Sequence, residues 1–138
     1  MSTEHRFYDY INIDGSNLIE VWLSGDGKAS RARFINRLEM LSGSPPSGKQ
    51  DSVWKSKYVK PLAGGKWGKY KDFIEIRVKE NNIQYRLIGK KIDREIFLVS
   101  WGFHDGKGWH SDITPATAQE RANRMIANPA TYRREHEL

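Results

Sequence analysis

The stretch "FIEIRVKENNIQYRLIGKKIDREIFLVSW", Phe73 to Trp101, restricts the fold more than any other part of the chain. From Phe73 to Lys79 the residues alternate. Ile74, Ile76 and Val78 fall on one side, and Glu75, Arg77 and Lys79 on the other. A period of two belongs to a half-buried strand. Asn81–Asn82 comes next, two residues that tolerate positive φ and close a tight hairpin, and Ile83 to Ile88 returns. "KKIDR" supplies a second turn. Glu95 to Trp101 makes a third strand, apolar through "IFLVSW", which places it at the centre of the sheet. A meander of this kind is stable only when other elements cover its apolar face.

The rest of the chain supplies those elements. "RFYDYINI", Arg6 to Ile13, reads as a further strand, rich in aromatic and β-branched residues. "DGSN" is turn chemistry, with Ser16 as the candidate cap of a short helix through Trp22. "KASRARFINRLEML" sets Phe34, Ile35, Leu38 and Leu41 at helical spacing and keeps Arg31, Arg33 and Arg37 mostly off that stripe. Gly43 is its expected stop. Thr114 with Pro115 opens a last helix, supported by the capping-box spacing of Thr117 and Glu120. Its stripe is Ala118, Ala122, Met125 and Ile126, and Pro129 ends it. The order β-α-α-β-β-β-α predicts an α+β fold: a compact, twisted, mostly antiparallel sheet with helices on one face. The 138 residues suit one domain, 1–138, with a flexible Pro/Gly/Ser loop at 42–52 and a polar tail at 129–138.

Composition narrows the function classes. There is no cysteine, so neither a disulfide nor a thiolate metal site is available, which fits a reducing compartment. No long apolar run or signal-like N-terminus occurs, so a cytoplasmic location without membrane contact is expected. Lys and Arg number 23 against 17 Asp and Glu, a net charge of +6. Lysines crowd between Lys49 and Lys71, with Trp54, Tyr58, Trp67 and Tyr70 among them. A small basic domain with such a cluster points to nucleic acid or to an acidic protein. A merely solvated lysine face is the plain alternative.

Arg77 and Arg86 stand within the meander, on the sides opposite its apolar residues. Forked guanidinium groups on an open sheet beside a lysine-rich loop suit a phosphate-binding groove. The competing reading is a cross-strand ion pair with Glu75. The loop "GFHDGKGWHSDI" adds His104, Lys107, Trp109 and His110. Trp109 reads equally as a plug beneath the loop or as a platform for a base. The spacing of His104, Asp105, His110 and Asp112 fits no familiar ligand pattern, so no metal and no cofactor is expected.

A family resemblance rests on "KPLAGG" (Lys60 to Gly65), "IEIR" (Ile74 to Arg77), "QYRLI" (Gln84 to Ile88), "FLVSWGF" (Phe97 to Phe103) and the Ala118–Arg121 pair of the last helix. These motifs, in this order, resemble the RelE/ParE/HigB-like toxins of bacterial type II toxin–antitoxin pairs, and the phage-derived HigB-like branch most. The resemblance covers about half of the chain. It implies a RelE/ParE-like fold and a toxin that cleaves mRNA on the ribosome as a metal-independent endoribonuclease. The arginine of the "YR" pair, here Arg86, would stabilise the scissile phosphate. His104, Lys107 and His110 would complete the catalytic set. Arg77, Lys60, Lys66 and Trp109 would hold the RNA. The implied partners are mRNA, the ribosome and a cognate antitoxin, acidic or of helix-turn-helix type, encoded nearby. Phe73 and Glu75 stand where some ribosome-dependent members carry basic residues. That departure keeps two alternatives in view: a ParE-like inhibitor of DNA gyrase, and a phage-derived nucleic-acid-binding domain without catalysis.

Overall fold

The computed structural model describes residues 5–44, 54, 57–107, 109–111 and 114–137, with the backbone alone at 109–111. The flexible loop expected at 42–52 lies mostly outside the described residues. The fold is mixed α+β, built on a mostly antiparallel sheet. The expected meander is its middle: β3 (Phe73–Glu80), β4 (Ile83–Ile92) and β5 (Glu95–His104). Asn81 and Asn82 turn the first hairpin with φ of 53° and 65°, and Asp93 turns the second at 56°. These are left-handed values that Asn and Asp accept more readily than other side chains.

β5 is central, as its apolar run requires. One edge pairs with β4. The other edge is divided between β1 (Arg6–Tyr10), parallel to the first half, and β6 (Trp109–Ser111), antiparallel to the second. β2 (Val59–Pro61) extends the sheet beyond β3. β7 (Arg133–Glu135) extends it beyond β1. The strand order is therefore β2-β3-β4-β5-β1-β7, with β6 beside β5.

The helices cover both faces of this sheet, not one. On the first face α1 (Leu18–Ser24) and α2 (Arg31–Ser42) bury Ile19, Trp22, Phe34 and Leu38 against Ile76, Leu87, Ile96 and Leu98. On the second face α3 (Pro115–Ala127) buries Ala118, Ala122 and Met125 against Tyr10, Phe73, Phe97 and Val99. The β5 strand can serve two cores because it is apolar on both sides. A register shift in the β4–β5 ladder leaves Val99 without a paired residue, and its carbonyl accepts a hydrogen bond from Arg121 Nη1 at 2.8 Å. The arginine of the Ala118–Arg121 motif thus ties α3 to the bulge. Among the described residues no helix is long and apolar enough to cross a membrane.

Capping differs in two places from the sequence expectation. Asn17, rather than Ser16, caps α1, its side chain accepting from the Glu20 N–H at 3.0 Å. Thr114 caps α3 by accepting from the Thr117 N–H, and Glu120 pairs with Arg124 instead of closing a capping box. The largest correction is the tail. Residues 129–137 form the short helix α4 (Pro129–Tyr132) and then β7, and His136 is buried. The polar side chains of "YRREHEL" hide a strand whose stability comes from pairing with β1, a non-local partner.

Candidate functional site

The side chains of the second sheet face divide into two regions. Where α3 lies over β5 and β1 they are apolar. Toward the β3–β4 hairpin they are polar: Glu75, Arg77 and Lys79 from β3, Gln84 and Arg86 from β4, and His104 from β5. Arg77 is directly opposite Arg86 in the ladder, Arg86 opposite Gly102, and Gln84 opposite His104. Directly opposed residues share a face, so Arg77, Arg86 and His104 converge on one half-open surface.

Two arginines side by side in a sheet repel unless something lies between them. Glu75 does. It is 4% exposed, and its Oε1 accepts from Arg77 Nε at 2.8 Å while its Oε2 accepts from Arg86 Nη1 at 3.1 Å. Arg86 Nη2 donates to Gln84 Oε1 at 3.1 Å. Of the two readings left open for these arginines, the geometry displays the cross-strand ion pair with Glu75. Neither arginine side chain is fully buried, with 32% exposed at Arg77 and 22% at Arg86, although Arg86 Nε itself is buried. One carboxylate between two guanidinium groups leaves this trio with one positive charge in excess, and Lys79 on the same face adds to it.

The remaining residues expected at the site fall around it unevenly. His104 is half-buried at the end of β5, and its Nδ1 accepts from the Gly106 N–H at 3.1 Å. An accepting Nδ1 puts the proton of the neutral ring on Nε2. Lys107 is exposed in the following turn, where its N–H donates to Asp105 Oδ1. The register sets Trp109 opposite His104 and His110 opposite Phe103. The side chains of Trp109 and His110 lie outside the described part of the structure. Lys60 is exposed on β2 and pairs in register with Glu75, so it belongs to the same face. Lys66 does not join the group. It sits in a tight turn, Gly65–Trp67, whose Trp67 packs on Phe73 with ring centroids 5.2 Å apart. Phe73 and Arg77 are four residues apart on β3, about 13 Å along the strand.

Two arrangements have no counterpart in the sequence expectations. The first is a cavity of about 360 Å³ at the edge of β3 beside α2, lined by Arg33, Arg37, Lys57, Tyr58, Arg77 and Lys79, among others. Arg37 lies over the Tyr58 ring, its Cζ 3.9 Å from the centroid, and its Nη1 donates to the Arg77 carbonyl at 2.6 Å. Burial and the neighbouring Arg33 hold the Arg37 guanidinium below its ordinary pKa, with Tyr58 acting in the opposite sense. Arg33 and Arg37 read in the sequence as the solvent face of a helix, since periodicity does not say which strand edge that face borders.

The second is a group of ligating atoms from Asp9, Glu20 and His136, all within 4.8 Å of one another. One imidazole and two carboxylates form a donor set that divalent transition metals accept. Here the groups serve each other: His136 Nδ1 lies 2.7 Å from Asp9 Oδ1 and 3.7 Å from Glu20 Oε1. Asn17 Nδ2 donates to Asp9 at 3.0 Å, and Arg31 Nη1 to Glu20 at 3.1 Å. The arrangement is an ion-pair network, buried at Asp9 and His136 and open to solvent at Glu20 and Arg31, that holds the C-terminal strand against β1. No protein-family model, curated protein or solved structure matches this chain.

Proposed function

We propose that this chain is a toxin of the RelE/ParE/HigB-like kind that binds messenger RNA on the ribosome and cleaves it without metal. The observation that carries the reading is the placement of Arg77 and Arg86 opposite each other on a half-open sheet face, with His104 on the neighbouring strand. RNA carries its own nucleophile. The 2′-oxygen loses its proton and attacks phosphorus, the P–O5′ bond breaks, and the 5′-oxygen takes up a proton. The products are a 2′,3′-cyclic phosphate and a free 5′-hydroxyl. Arg86, with Arg77 beside it, would neutralise the charge that builds on the phosphorane oxygens. His104, whose ring N–H is at Nε2, would donate a hydrogen bond to the phosphate, while water takes up the 2′-proton and protonates the 5′-oxygen.

The test is induction of the chain in bacteria with mapping of mRNA 5′ ends, alongside Arg86→Ala. Growth arrest with new 5′ ends in translated messages is the expected result, and Arg86→Ala should abolish both while remaining folded by circular dichroism. Induction without arrest and without new ends would count decisively against the reading. One observation favours a second reading, RNA binding without cleavage: the two guanidinium groups already have a carboxylate partner in Glu75. RNA binding with intact message would select it.

A further inference from the structure

We infer that the cavity between α2 and the β3 edge is a second phosphate-binding site, which holds a single strand of RNA beyond the nucleotide at Arg86. The inference rests on the RNA reading above and adds a site to it. Five cationic side chains line the cavity: Arg33, Arg37, Lys57, Arg77 and Lys79. Arg33 is paired with Glu80 and Arg77 with Glu75. Among the described residues no carboxylate lies within ion-pair distance of Arg37, Lys57 or Lys79.

A cluster of like charges with too few counter-charges costs free energy in the folded state, and an anion relieves it. Arg37 is set to receive that anion. Stacking on Tyr58 and the bond to the Arg77 carbonyl fix its plane, so little rotamer freedom is lost on binding. Burial, and then the neighbouring Arg33, lowers its pKa from the ordinary arginine value, against the opposite effect of Tyr58.

Two features favour a nucleic-acid strand over an acidic peptide. The first is continuity. Arg77 and Gln84 line the cavity and also belong to the Glu75–Arg86 network, so cationic groups run without a break from the sheet face round the hairpin to α2. A polymer with one phosphate per unit can occupy both ends of such a track. The second is the lining. Gln84 offers an amide to a base edge, and the guanidinium plane of Arg37 offers a surface on which a splayed base can stack.

The test is fluorescence anisotropy with a short labelled uridine oligonucleotide at several salt concentrations. It compares wild type with the double variant Lys57→Gln/Lys79→Gln and with Arg37→Gln. Lys57 and Lys79 are exposed, so the double variant should fold normally. On a single strand, each phosphate that is no longer neutralised lowers the slope of log affinity against log salt by about 0.7. Two such phosphates lower it by about 1.4, roughly a 25-fold fall in affinity at about 0.1 M salt if the curves meet near 1 M. Arg37→Gln should weaken binding in the same direction. If wild type binds RNA and the double variant binds equally well with an unchanged slope, the cavity site is wrong and the RNA reading stands. If wild type fails to bind RNA, both fall. Polyglutamate that binds wild type and loses affinity in the double variant, while RNA affinity stays constant, would reassign the cavity to an acidic protein and overturn the proposal.

Discussion

Glu75 holds two guanidinium groups, and replacing it asks whether that carboxylate or a phosphate is their stronger partner. Glu75→Gln keeps the shape and removes the charge. Leaving two cations on a neutral amide should cost about 1–3 kcal/mol of stability, less than for a fully dry pair because both arginines keep solvent contact. The same change should raise affinity for RNA, since phosphate no longer competes with a carboxylate. Urea unfolding and oligonucleotide binding check the two halves, and a fall in affinity would mark Glu75 as the group that aims the arginines. The pairing of Arg77 and Arg86 was legible in the sequence, because strand alternation and the Asn81–Asn82 turn fix the register between them. The preference between ion pair and phosphate clamp was not, since it depends on how deeply Glu75 is buried. Gly89 makes a purely steric case. A Cβ there would lie 3.0 Å from Ile96 Cγ2 and 3.1 Å from the Phe97 carbonyl, beside the β4–β5 bulge. Gly89→Ala should therefore cost about 1–3 kcal/mol, read as a lower urea midpoint with little change in slope.

β7 pairs with β1 along the backbone, and the His136–Asp9 ion pair that follows it should make its attachment depend on pH. Burial alone would lower the pKa of His136. The hydrogen bond and charge of Asp9, with the charge of Glu20, outweigh burial and raise it above the ordinary 6.5. A raised folded-state pKa means that the stabilisation is fully present below the unfolded value. It is lost as pH rises through the folded value. Thermal unfolding across pH 6 to 9 should thus show a decline in stability at the alkaline end, absent in His136→Ala. That variant leaves Asp9 buried without its imidazolium and should lose about 2–4 kcal/mol at pH 6. Hydrogen exchange at 133–135 should quicken with pH in wild type beyond the intrinsic rate, and equal protection across the range would refute the latch. The sequence concealed this element for a physical reason. An edge strand with outward polar side chains has no hydrophobic alternation, and "YRREHEL" gives no sign of its partner β1, over 120 residues away. β3, β4 and α3 were legible because their signals are local: alternation, the Asn–Asn turn, and Pro115 after Thr114.

At the scale of the molecule, the net charge of +6 and the placement of the acidic residues act together. Asp9, Glu20, Glu75, Glu80 and Glu120 are each engaged with a cation or a histidine. Of these, Glu75 and Glu80 offset only part of the charge on the hairpin face and in the α2 cavity, where among the described residues Arg37, Lys57 and Lys79 have no carboxylate within ion-pair distance. The basic composition was legible. Its concentration on one region was not, because α2 and α3 go to opposite faces of the sheet and so leave one region of the second face polar. A ligand that binds only the folded chain raises stability by RT ln(1 + [L]/Kd), about 2.7 kcal/mol at a hundredfold excess over Kd. For a chain of this length that corresponds to a rise in Tm of roughly 10 °C. A single-stranded uridine oligonucleotide should produce that rise at low salt, and the rise should vanish near 1 M salt, where phosphate contacts are screened. Lys57→Gln/Lys79→Gln should show a smaller rise, and Arg86→Ala an independent decrement, because the two sites would hold different phosphates of one strand. A Tm shift of the same size for all three proteins, or one that persists at high salt, would mean that the chain recognises the oligonucleotide through its bases or not at these residues.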